Sequence, residues 1–403
     1  MAVSGMRTGI CAIVLLATSA IAAAMGGLLL STLAALFGLL VFPFNPSEWR
    51  AWSSRWLALP VVLFLAWVAI SFLWSPHDKP DQVWKTGLGI PLYTVLVLRV
   101  GHLSGIWRIR AEAAYLAAAA AVGLFFVLEV ATGFMVTQSY KLSVEGAVEV
   151  SDRFLRDAVT RSLGHGAAFL IMISAPAALL AWRSGGLVIG VLIMAMAGLA
   201  AVSFSTEVNI VAIAAASVAA GLAFWKPRSM VALSFGVFAG SFLIIPMVLP
   251  TVVALLPTEM TSGLPWSWQE RLGIWMYAGE LIQDKPWFGH GLDASRPLSG
   301  VLELNTWTRE ALPLHPHNAP LHVWLETGLV GATLLAISLI AIGGRISSAP
   351  RLSRPQAVAA VWVLVSYASL LYFGYGVWQE WHQGAVAIAA TGVFFLGAQK
   401  PAA

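Results

Sequence analysis

Apolar runs of roughly the length that crosses a lipid bilayer dominate this sequence and restrict what it can fold into. A helix needs about 20 mainly apolar residues to cross the hydrocarbon core. The candidate runs are 8–25, 26–42, 57–74, 87–100, 111–131, 163–182, 187–204, 208–225, 230–249, 321–342, 358–373 and 384–396. Only 10% of the residues are charged, against about 25% in soluble proteins. The sequence therefore predicts an all-α, polytopic membrane protein with about 12 transmembrane helices.

Lysine and arginine residues between the runs indicate the orientation. When the N-terminus is placed in the cytoplasm, the short loops on that side are strongly basic, for example at Arg108, Arg110, Arg228 and Arg345. Short cytoplasmic loops usually carry this excess of positive charge. We therefore expect both termini in the cytoplasm and the longer hydrophilic segments on the outer side.

These hydrophilic segments divide the chain into three parts. Residues 1–249 hold the first nine predicted helices, short loops and an outer segment at 132–162. Residues 250–320 form a large outer loop with amphipathic helices, and residues 321–403 hold the last three predicted helices. In the large loop, Ser267 and Glu270 have the spacing of a capping box, which predicts that an amphipathic helix begins there.

The stretch 315–331, HPHNAPLHVWLETGLVG, stands where the large loop meets the tenth predicted helix. Asn318 can cap that helix, and Pro320 fits its first turn. His315 and His317 therefore lie at the mouth of a membrane helix, where an imidazole can take or give a proton near neutral pH. The same position also suits a histidine that only forms hydrogen bonds.

Two further histidines lie close by in the sequence, and we expect both to be structural. His290 lies between Gly289 and Gly291, and this pair of glycines predicts a turn where another backbone approaches closely. His322 lies inside the tenth predicted helix.

Basic residues on the outer side gather at two places. Arg153, Arg156 and Arg161 fall on one helical face that leads into the sixth predicted helix, and Arg271 lies in the loop helix. Each guanidinium can bind two oxygens of a phosphate or pyrophosphate. Snorkelling or pairing with neighbouring aspartates would also account for the first three. Because a basic row on the outer side opposes the usual charge bias, we favour binding of a lipid-linked phosphate.

Carboxylates give a weaker signal. Asp78 and Asp81, beside His77, could share a cation, but the intervening Lys79 suits a solvated turn better, so we expect no metal site there. Glu207, at the start of the eighth predicted helix, is costly at a membrane mouth unless it is paired. A basic neighbour of Glu207 is therefore expected.

The order of these residues resembles the O-antigen ligase and polymerase superfamily. The resemblance rests on Arg271 in an aromatic helix, Pro286-x-x-Gly289-x-Gly291, His317-Asn318 and then Gly328-x-x-Gly331, together with the helix layout and the large loop. It implies a GT-C-like, inverting, metal-independent glycosyl transfer on the periplasmic face of the bacterial inner membrane. Where many relatives carry Ser-Arg, residues 205–207 are Ser-Thr-Glu, so the pattern lacks that arginine.

The resemblance also implies substrates and residue roles. The donor is a polysaccharide on undecaprenyl pyrophosphate, and in ligases the acceptor is a sugar hydroxyl of lipid A–core. No cofactor, metal ion or nucleic acid takes part. His317 corresponds to the essential histidine and Arg271 to the loop arginine, with His315 and Asn318 in support. Arg161 corresponds to an arginine at the earlier membrane mouth.

Three alternatives remain open. An O-antigen polymerase uses the same donor but a second lipid-linked glycan as the acceptor. A protein O-oligosaccharyltransferase is the next alternative, although such chains are usually longer. A transporter predicts repeats, helices broken in mid-membrane and ionisable residues deep in several spans. Here only Glu129, His165, Glu207 and Glu326 approach the spans, so we favour a transferase.

Overall fold

The structure is a computed structural model that describes residues 2–43, 55–145, 152–204, 207–304 and 307–397. Helices make up nearly all of its regular structure, which confirms the all-α prediction. They are α1 (Ala2–Ala24), α2 (Leu29–Leu40), α3 (Arg55–Ser71), a 3-10 turn (Phe72–Trp74), α4 (Asp81–Gly101), α5 (Gly105–Ala131), α6 (Met135–Glu145), α7 (Asp152–Arg183), α8 (Leu187–Ser203), α9 (Glu207–Trp225), α10 (Pro227–Ala254), α11 (Thr258–Ser262), α12 (Trp266–Asp284), α13 (Ala319–Ser347), α14 (Arg354–Phe373) and α15 (Glu380–Phe395).

Eight of the described helices are long and apolar enough to cross a membrane, namely α1, α4, α5, α7, α9, α10, α13 and α14. Shorter apolar helices occupy Leu29–Leu40, Leu59–Trp74 and Leu187–Ser203. The last predicted run coincides with α15. The protein is thus a polytopic α-helical membrane protein, and the exact number of crossings stays a prediction.

Helix α7 lies at the centre of the larger hydrophobic core. Its residues between Leu163 and Ile173 include a long series of fully buried apolar side chains. It packs against α5, α8, α14 and α15. Because α7 begins at Asp152, its first turns fall within the hydrophilic segment predicted at 132–162. Arg153, Arg156 and Arg161 therefore lie on one continuous helix, as their spacing predicts.

The turn in the hairpin between α1 and α2 packs against α7 close to Arg161. Gly26 and Gly27 have φ values of 98° and 77°, which favour glycine. A Cβ atom on Gly26 would lie 3.2 Å from the Cβ of Ser162, and one on Gly27 would lie 3.5 Å from the Cβ of His165. The tip of the hairpin therefore contacts α7 one turn beyond Arg161.

A second packing unit holds α10, α12 and α13 together. Helix α12 buries Ile274, Trp275, Ala278 and Ile282 in a hydrophobic cluster. It begins at Trp266 after Pro265, and no side chain caps it. The predicted capping box is therefore wrong: the chain turns into the helix at the proline, before Ser267.

A short antiparallel hairpin is the one departure from an all-α fold in the described residues. Strands β1 (Val301–Leu304) and β2 (Trp307–Glu310) pair with Leu302 opposite Arg309. Leu302 packs against α12, since a Cβ atom on Gly273 would lie 2.6 Å from its Cδ2. Strands of four residues are too short for their alternation to be recognised in the sequence.

Candidate active site

Helix α13 is interrupted at Gly328, whose φ of 66° and ψ of −172° are not helical. The segment 286–295 packs into this break. Leu329 N–H donates to the carbonyl of Pro286 at 2.9 Å. Gly291 N–H donates to the carbonyl of Glu326, two residues before the break, at 2.8 Å. Backbone groups that the break releases are thus satisfied by protein, as apolar surroundings require.

Glycines allow the two backbones to touch. A Cβ atom on Gly289 would lie 2.5 Å from the carbonyl carbon of Glu326, and one on Gly291 would lie 2.5 Å from the Cα of Ser75. Both glycines also have positive φ, at 68° and 100°. The close backbone approach predicted from these glycines is confirmed: Gly289 lies against the break at Gly328, and Gly291 lies against the backbone that follows α3.

Two tryptophans complete the hydrogen bonding around the break. Trp67 Nε1 donates to the carbonyl of Thr327 at 2.9 Å, and Trp74 Nε1 donates to that of Gly289 at 3.2 Å. Their rings also line a cavity of about 540 Å³ together with Trp287 and Phe288. His317 and Arg271 are not among its lining residues, so this cavity lies apart from the polar site described below.

Replacing Gly328 with alanine should destabilise the protein strongly. Its backbone conformation is almost restricted to glycine, which alone costs another residue about 1–3 kcal/mol, and a Cβ atom would collide with the backbone of Trp287. We expect the apparent melting temperature in detergent to fall by many degrees. Gly344 is the matched control: it lies in the same helix with no atom near its Cβ position. Gly344→Ala should be neutral or slightly stabilising, and equal losses for both variants would contradict the role of the break.

Glu326, two residues before the break in α13, is the carboxylate that binds the broken helix to its neighbouring segments. It is completely buried. Its oxygens accept from the backbone N–H groups of Asp293 (2.7 Å) and Ser295 (3.2 Å), from Ser295 Oγ (2.6 Å) and from Trp378 Nε1 (2.6 Å). These donors come from two different connections of the chain. The sequence shows Glu326 only as an acid inside an apolar run, which is the signal that could have marked it.

His322 links Glu326 to the connection between α14 and α15. Its Nε2 lies 3.1 Å from Glu326 Oε1, and its Nδ1 accepts from Val377 N–H at 3.2 Å. A backbone N–H can only donate, so Nδ1 carries no proton and Nε2–H donates to the carboxylate. His322 therefore has the structural role expected from the sequence.

His317 lies against the same connection. Its φ of 52° is unusual for a residue with a side chain. Its Nδ1 lies 2.7 Å from the carbonyl oxygen of Gly374. Because a carbonyl only accepts, Nδ1 carries the proton and Nε2 keeps a lone pair. Burial lowers the pKa of His317 to about 4, opposed by the hydrogen bond to Gly374 and assisted by the charge of Arg271. A neutral imidazole with a free Nε2 is a competent proton acceptor at neutral pH.

His315 and Asn318 position His317 from either side. The Nδ1 of His315 accepts from His317 N–H at 3.2 Å, and the two rings are 4.3 Å apart. Asn318 caps α13 as predicted, since its side chain accepts from Leu321 N–H at 3.1 Å. Its amide nitrogen also donates to the carbonyl of Tyr372 at 3.3 Å. Burial lowers the pKa of His315 well below its usual value, so His315 is a neutral support.

Arg271 is the cation whose charge acts on His317. Its guanidinium lies 5.2 Å from the ring of Trp268. Among the described residues, its one hydrogen bond goes from NH1 to the carbonyl of Ser267 at 3.2 Å. Burial lowers the pKa of Arg271, and the carboxylates of Glu207 and Glu270 raise it. Within the described part of the chain, most of its N–H donors thus stay available for an anion.

The other predicted arginines lie on α7. Arg161 is exposed, whereas the side chains of Arg153 and Arg156 lie outside the described part of the structure. One turn after Arg161, His165 packs on Tyr375 and Trp381, with ring centroids 5.4 and 4.6 Å away. Helix α7 therefore reaches the connection that holds His317. In the described residues, however, the arginine charge that acts on His317 is that of Arg271.

The described residues do include a group that could hold a metal ion, although no metal site is expected from the sequence, and this group is not the pair Asp78 and Asp81. The ligand atoms of His77, Asp81 and Asp293 lie within 4.8 Å of one another, and Asp293 takes the place expected for Asp78. Both carboxylates already have cationic partners. Lys85 Nζ lies 3.0 Å from Asp81, and Arg296 Nε contacts both oxygens of Asp293 at 2.8 and 2.9 Å. A metal ion would have to displace these contacts.

Comparison with known proteins agrees with the predicted resemblance. The sequence model of the O-antigen ligase family matches residues 191–336. Proteins named "Putative polysaccharide ligase" are similar over a slightly longer stretch: the one from Rickettsia conorii is 26% identical over 162 residues and the one from Rickettsia felis is 26% identical over 160. Each match covers 39% of this chain and 39% of the relative. No solved structure matches.

Fold and site together define a multi-pass α-helical membrane protein with an imidazole and a guanidinium at the mouth of a broken helix. Through residues 191–336 the chain is similar to the O-antigen ligase family. Arg271, His317 and Glu326 lie inside this matched stretch, and the arginines of α7 precede it.

Proposed function

We propose that this protein is a glycosyltransferase that moves O-antigen polysaccharide from undecaprenyl pyrophosphate to a sugar hydroxyl of lipid A–core. The observation that carries the proposal is His317: its Nδ1–H donates to the carbonyl of Gly374, its Nε2 has no hydrogen-bond partner among the described residues, and the charge of Arg271 acts on it. A ligase needs both a proton acceptor and a cation at the reacting centre. The similarity to the O-antigen ligase family and to a protein named polysaccharide ligase supports the polysaccharide class of substrate.

In the proposed reaction, His317 Nε2 takes the proton of the acceptor hydroxyl as its oxygen attacks the anomeric carbon. The bond between that carbon and the phosphate oxygen breaks, and the pyrophosphate leaves with its electron pair. Arg271 stabilises the charge that develops on the leaving group, in a site of low dielectric. Attack from the side opposite the leaving group inverts the anomeric centre. Arg161, Arg153 and Arg156 are proposed to bind the donor from α7.

The alternatives differ mainly in the acceptor. A polymerase or a protein O-oligosaccharyltransferase could use the same base and cation. The break in α13 is a feature that the sequence did not predict and that transporters also show. Here, however, the segment 286–295 fills the break with backbone hydrogen bonds. A ligand does not need to occupy it, and the transferase proposal is favoured.

The acceptor can be identified with purified protein in detergent or nanodiscs. Undecaprenyl-pyrophosphate-linked polysaccharide is supplied with lipid A–core, with a second lipid-linked glycan, or with a secreted acceptor protein. We expect transfer to lipid A–core only. Extension of the lipid-linked glycan would make the protein a polymerase, and transfer to protein would make it an oligosaccharyltransferase. No transfer to any of the three would contradict the proposed activity.

Transfer should not require a metal ion. The group of His77, Asp81 and Asp293 is compensated by Lys85 and Arg296, and the proposed chemistry uses Arg271 instead. We expect full activity in excess EDTA. An activity lost in EDTA and restored by Mg²⁺ or Mn²⁺ would contradict this, and Asp81→Asn would then show whether this group holds the ion.

The site is proposed to face the periplasm of a bacterial inner membrane, with both termini in the cytoplasm. Cys11 is the single cysteine, so Cys11→Ala gives a background without thiols. Ser299 and Ser184 are both exposed, on the segment before α13 and on the turn after α7. A membrane-impermeant maleimide applied from the periplasm should label Ser299→Cys and leave Ser184→Cys unlabelled. The reverse pattern would contradict the orientation.

A further inference from the structure

Glu207, the first residue of α9, meets Arg271 across one tryptophan ring. Its Oε2 accepts from Trp268 Nε1 at 2.6 Å. The guanidinium of Arg271 lies 5.2 Å from the centre of the same ring. The indole thus holds a carboxylate at its nitrogen while a cation lies over its face. The basic neighbour that the sequence predicts for Glu207 is Arg271.

Among the carboxylates of the described residues, Glu207 acts on Arg271 most strongly through its charge. Glu207 raises the pKa of Arg271, ahead of Glu270 in the adjoining turn. Burial raises the pKa of Glu270 itself, which weakens its tendency to ionise. An anion that binds Arg271 therefore meets a fixed negative charge nearby. In a transferase this repulsion lowers the affinity for the donor. A carboxylate at this position is therefore expected to have a compensating role.

The reaction itself supplies that use. In the donor each phosphate carries one negative charge, because both are esterified. When the glycosyl bond breaks, the terminal phosphate becomes free and can carry a further negative charge near neutral pH. The product is therefore more anionic than the donor. An arginine that stabilises the departing charge will also retain the product, unless something opposes that retention.

We infer that Glu207 governs release of the pyrophosphate product: it repels the leaving group more strongly than the donor because the leaving group carries more charge. The inference rests on the proposed function, in which Arg271 binds the pyrophosphate. Glu207 does not touch the reacting atoms in this scheme. It sets how long the product stays on Arg271.

The test is Glu207→Gln, which removes the charge and keeps an oxygen that can accept from Trp268. Inorganic pyrophosphate is the probe for the product. We expect its inhibition constant to fall roughly threefold to tenfold, as removal of one nearby, partly screened charge allows. Single-turnover transfer should be unchanged or faster, while steady-state turnover slows and a burst of first product appears. The effect should shrink at high salt because Glu207 is exposed.

Two control variants separate charge from packing. Trp268→Phe keeps the charge of Glu207 and removes its hydrogen bond, so pyrophosphate inhibition should stay within about twofold of wild type. Glu270→Gln removes the weaker carboxylate and should have a smaller effect than Glu207→Gln. An unchanged inhibition constant in Glu207→Gln, or an equal change in Trp268→Phe, would overturn the inference.

Arg271→Ala distinguishes this inference from the proposed function. If pyrophosphate inhibits wild type and Arg271→Ala abolishes the inhibition, the anion site stands whatever Glu207 does. If wild type and Arg271→Ala respond alike to pyrophosphate, Arg271 is not the product site, and both the anion role of Arg271 and the release role of Glu207 fall.

Discussion

Replacing His317 with alanine is expected to lower single-turnover transfer by about 10²–10⁴-fold, the usual contribution of a positioned general base. The variant loses an imidazole whose Nε2 is fixed as a proton acceptor by the hydrogen bond from Nδ1–H to Gly374, and on which the charge of Arg271 acts. Donor binding should persist, because Arg271 and α7 are unchanged. Transfer rates are compared in a purified assay with donor binding measured separately. Wild-type rates would exclude His317 as the base.

The pH dependence gives the same prediction an independent readout. Burial lowers the pKa of His317 to about 4. The imidazole is therefore uncharged, and able to accept a proton, at every pH from 7 down to about 4. The value of kcat/KM should hold as the pH falls below 6 and should decline as the pH passes through about 4. A bound pyrophosphate stabilises the imidazolium, so the acidic limb of kcat should lie at higher pH than that of kcat/KM. His315→Ala should have a milder effect, since His315 only holds the backbone of His317.

Arg271→Ala should reduce turnover by about 10²–10³-fold and should also weaken donor binding, as expected when a donor to developing negative charge is removed. Arg271→Lys should recover only part, because a point charge cannot reproduce the paired N–H groups of a guanidinium. The measurements are donor affinity and single-turnover rate for both variants.

Arg309 provides a matched control for Arg271. It also lies over a tryptophan, 5.2 Å from the ring of Trp266, but it is exposed on the β hairpin. Arg309→Ala should change the turnover rate little. If the two alanine variants were equally impaired, the loss would reflect the fold of the loop rather than an anion site. Arg161→Ala tests α7 in the same assay, and the proposed donor contact predicts weaker binding there too.

The sequence predicted those parts of the site that depend on neighbouring residues. The cap at Asn318, the close approach at Gly289 and Gly291, and the position of His317 at a helix mouth all follow from local chemistry. Each is observed in the structure. The resemblance to the O-antigen ligase family was likewise predicted from spacing within a few stretches, and the comparison confirms that resemblance over residues 191–336.

The remainder depends on contacts between distant parts of the chain. Gly374 fixes the tautomer of His317 from 57 positions away, and the partners of Glu326 outside its own helix are 31 to 52 positions away. No local pattern encodes such pairs. The break at Gly328 was missed for a related reason: glycine in an apolar run is also compatible with an unbroken helix, and only the segment that fills the gap distinguishes the two.

The break in α13 has a consequence for the order in which the protein assembles during synthesis. Residues 319–327 form a stub of about 14 Å, far short of the roughly 30 Å hydrocarbon core. This short helix can take up its final position only when it packs against segment 286–295, which leaves the ribosome earlier. Asp293, Ser295 and His322 are therefore all present when Glu326 arrives, but Gly374 and Trp378 follow later. The arginine and the histidines can thus gather in an immature chain, while the carbonyl that orients His317 follows later, so the tautomer of the proposed base is fixed only after α14 has been made and its end has docked.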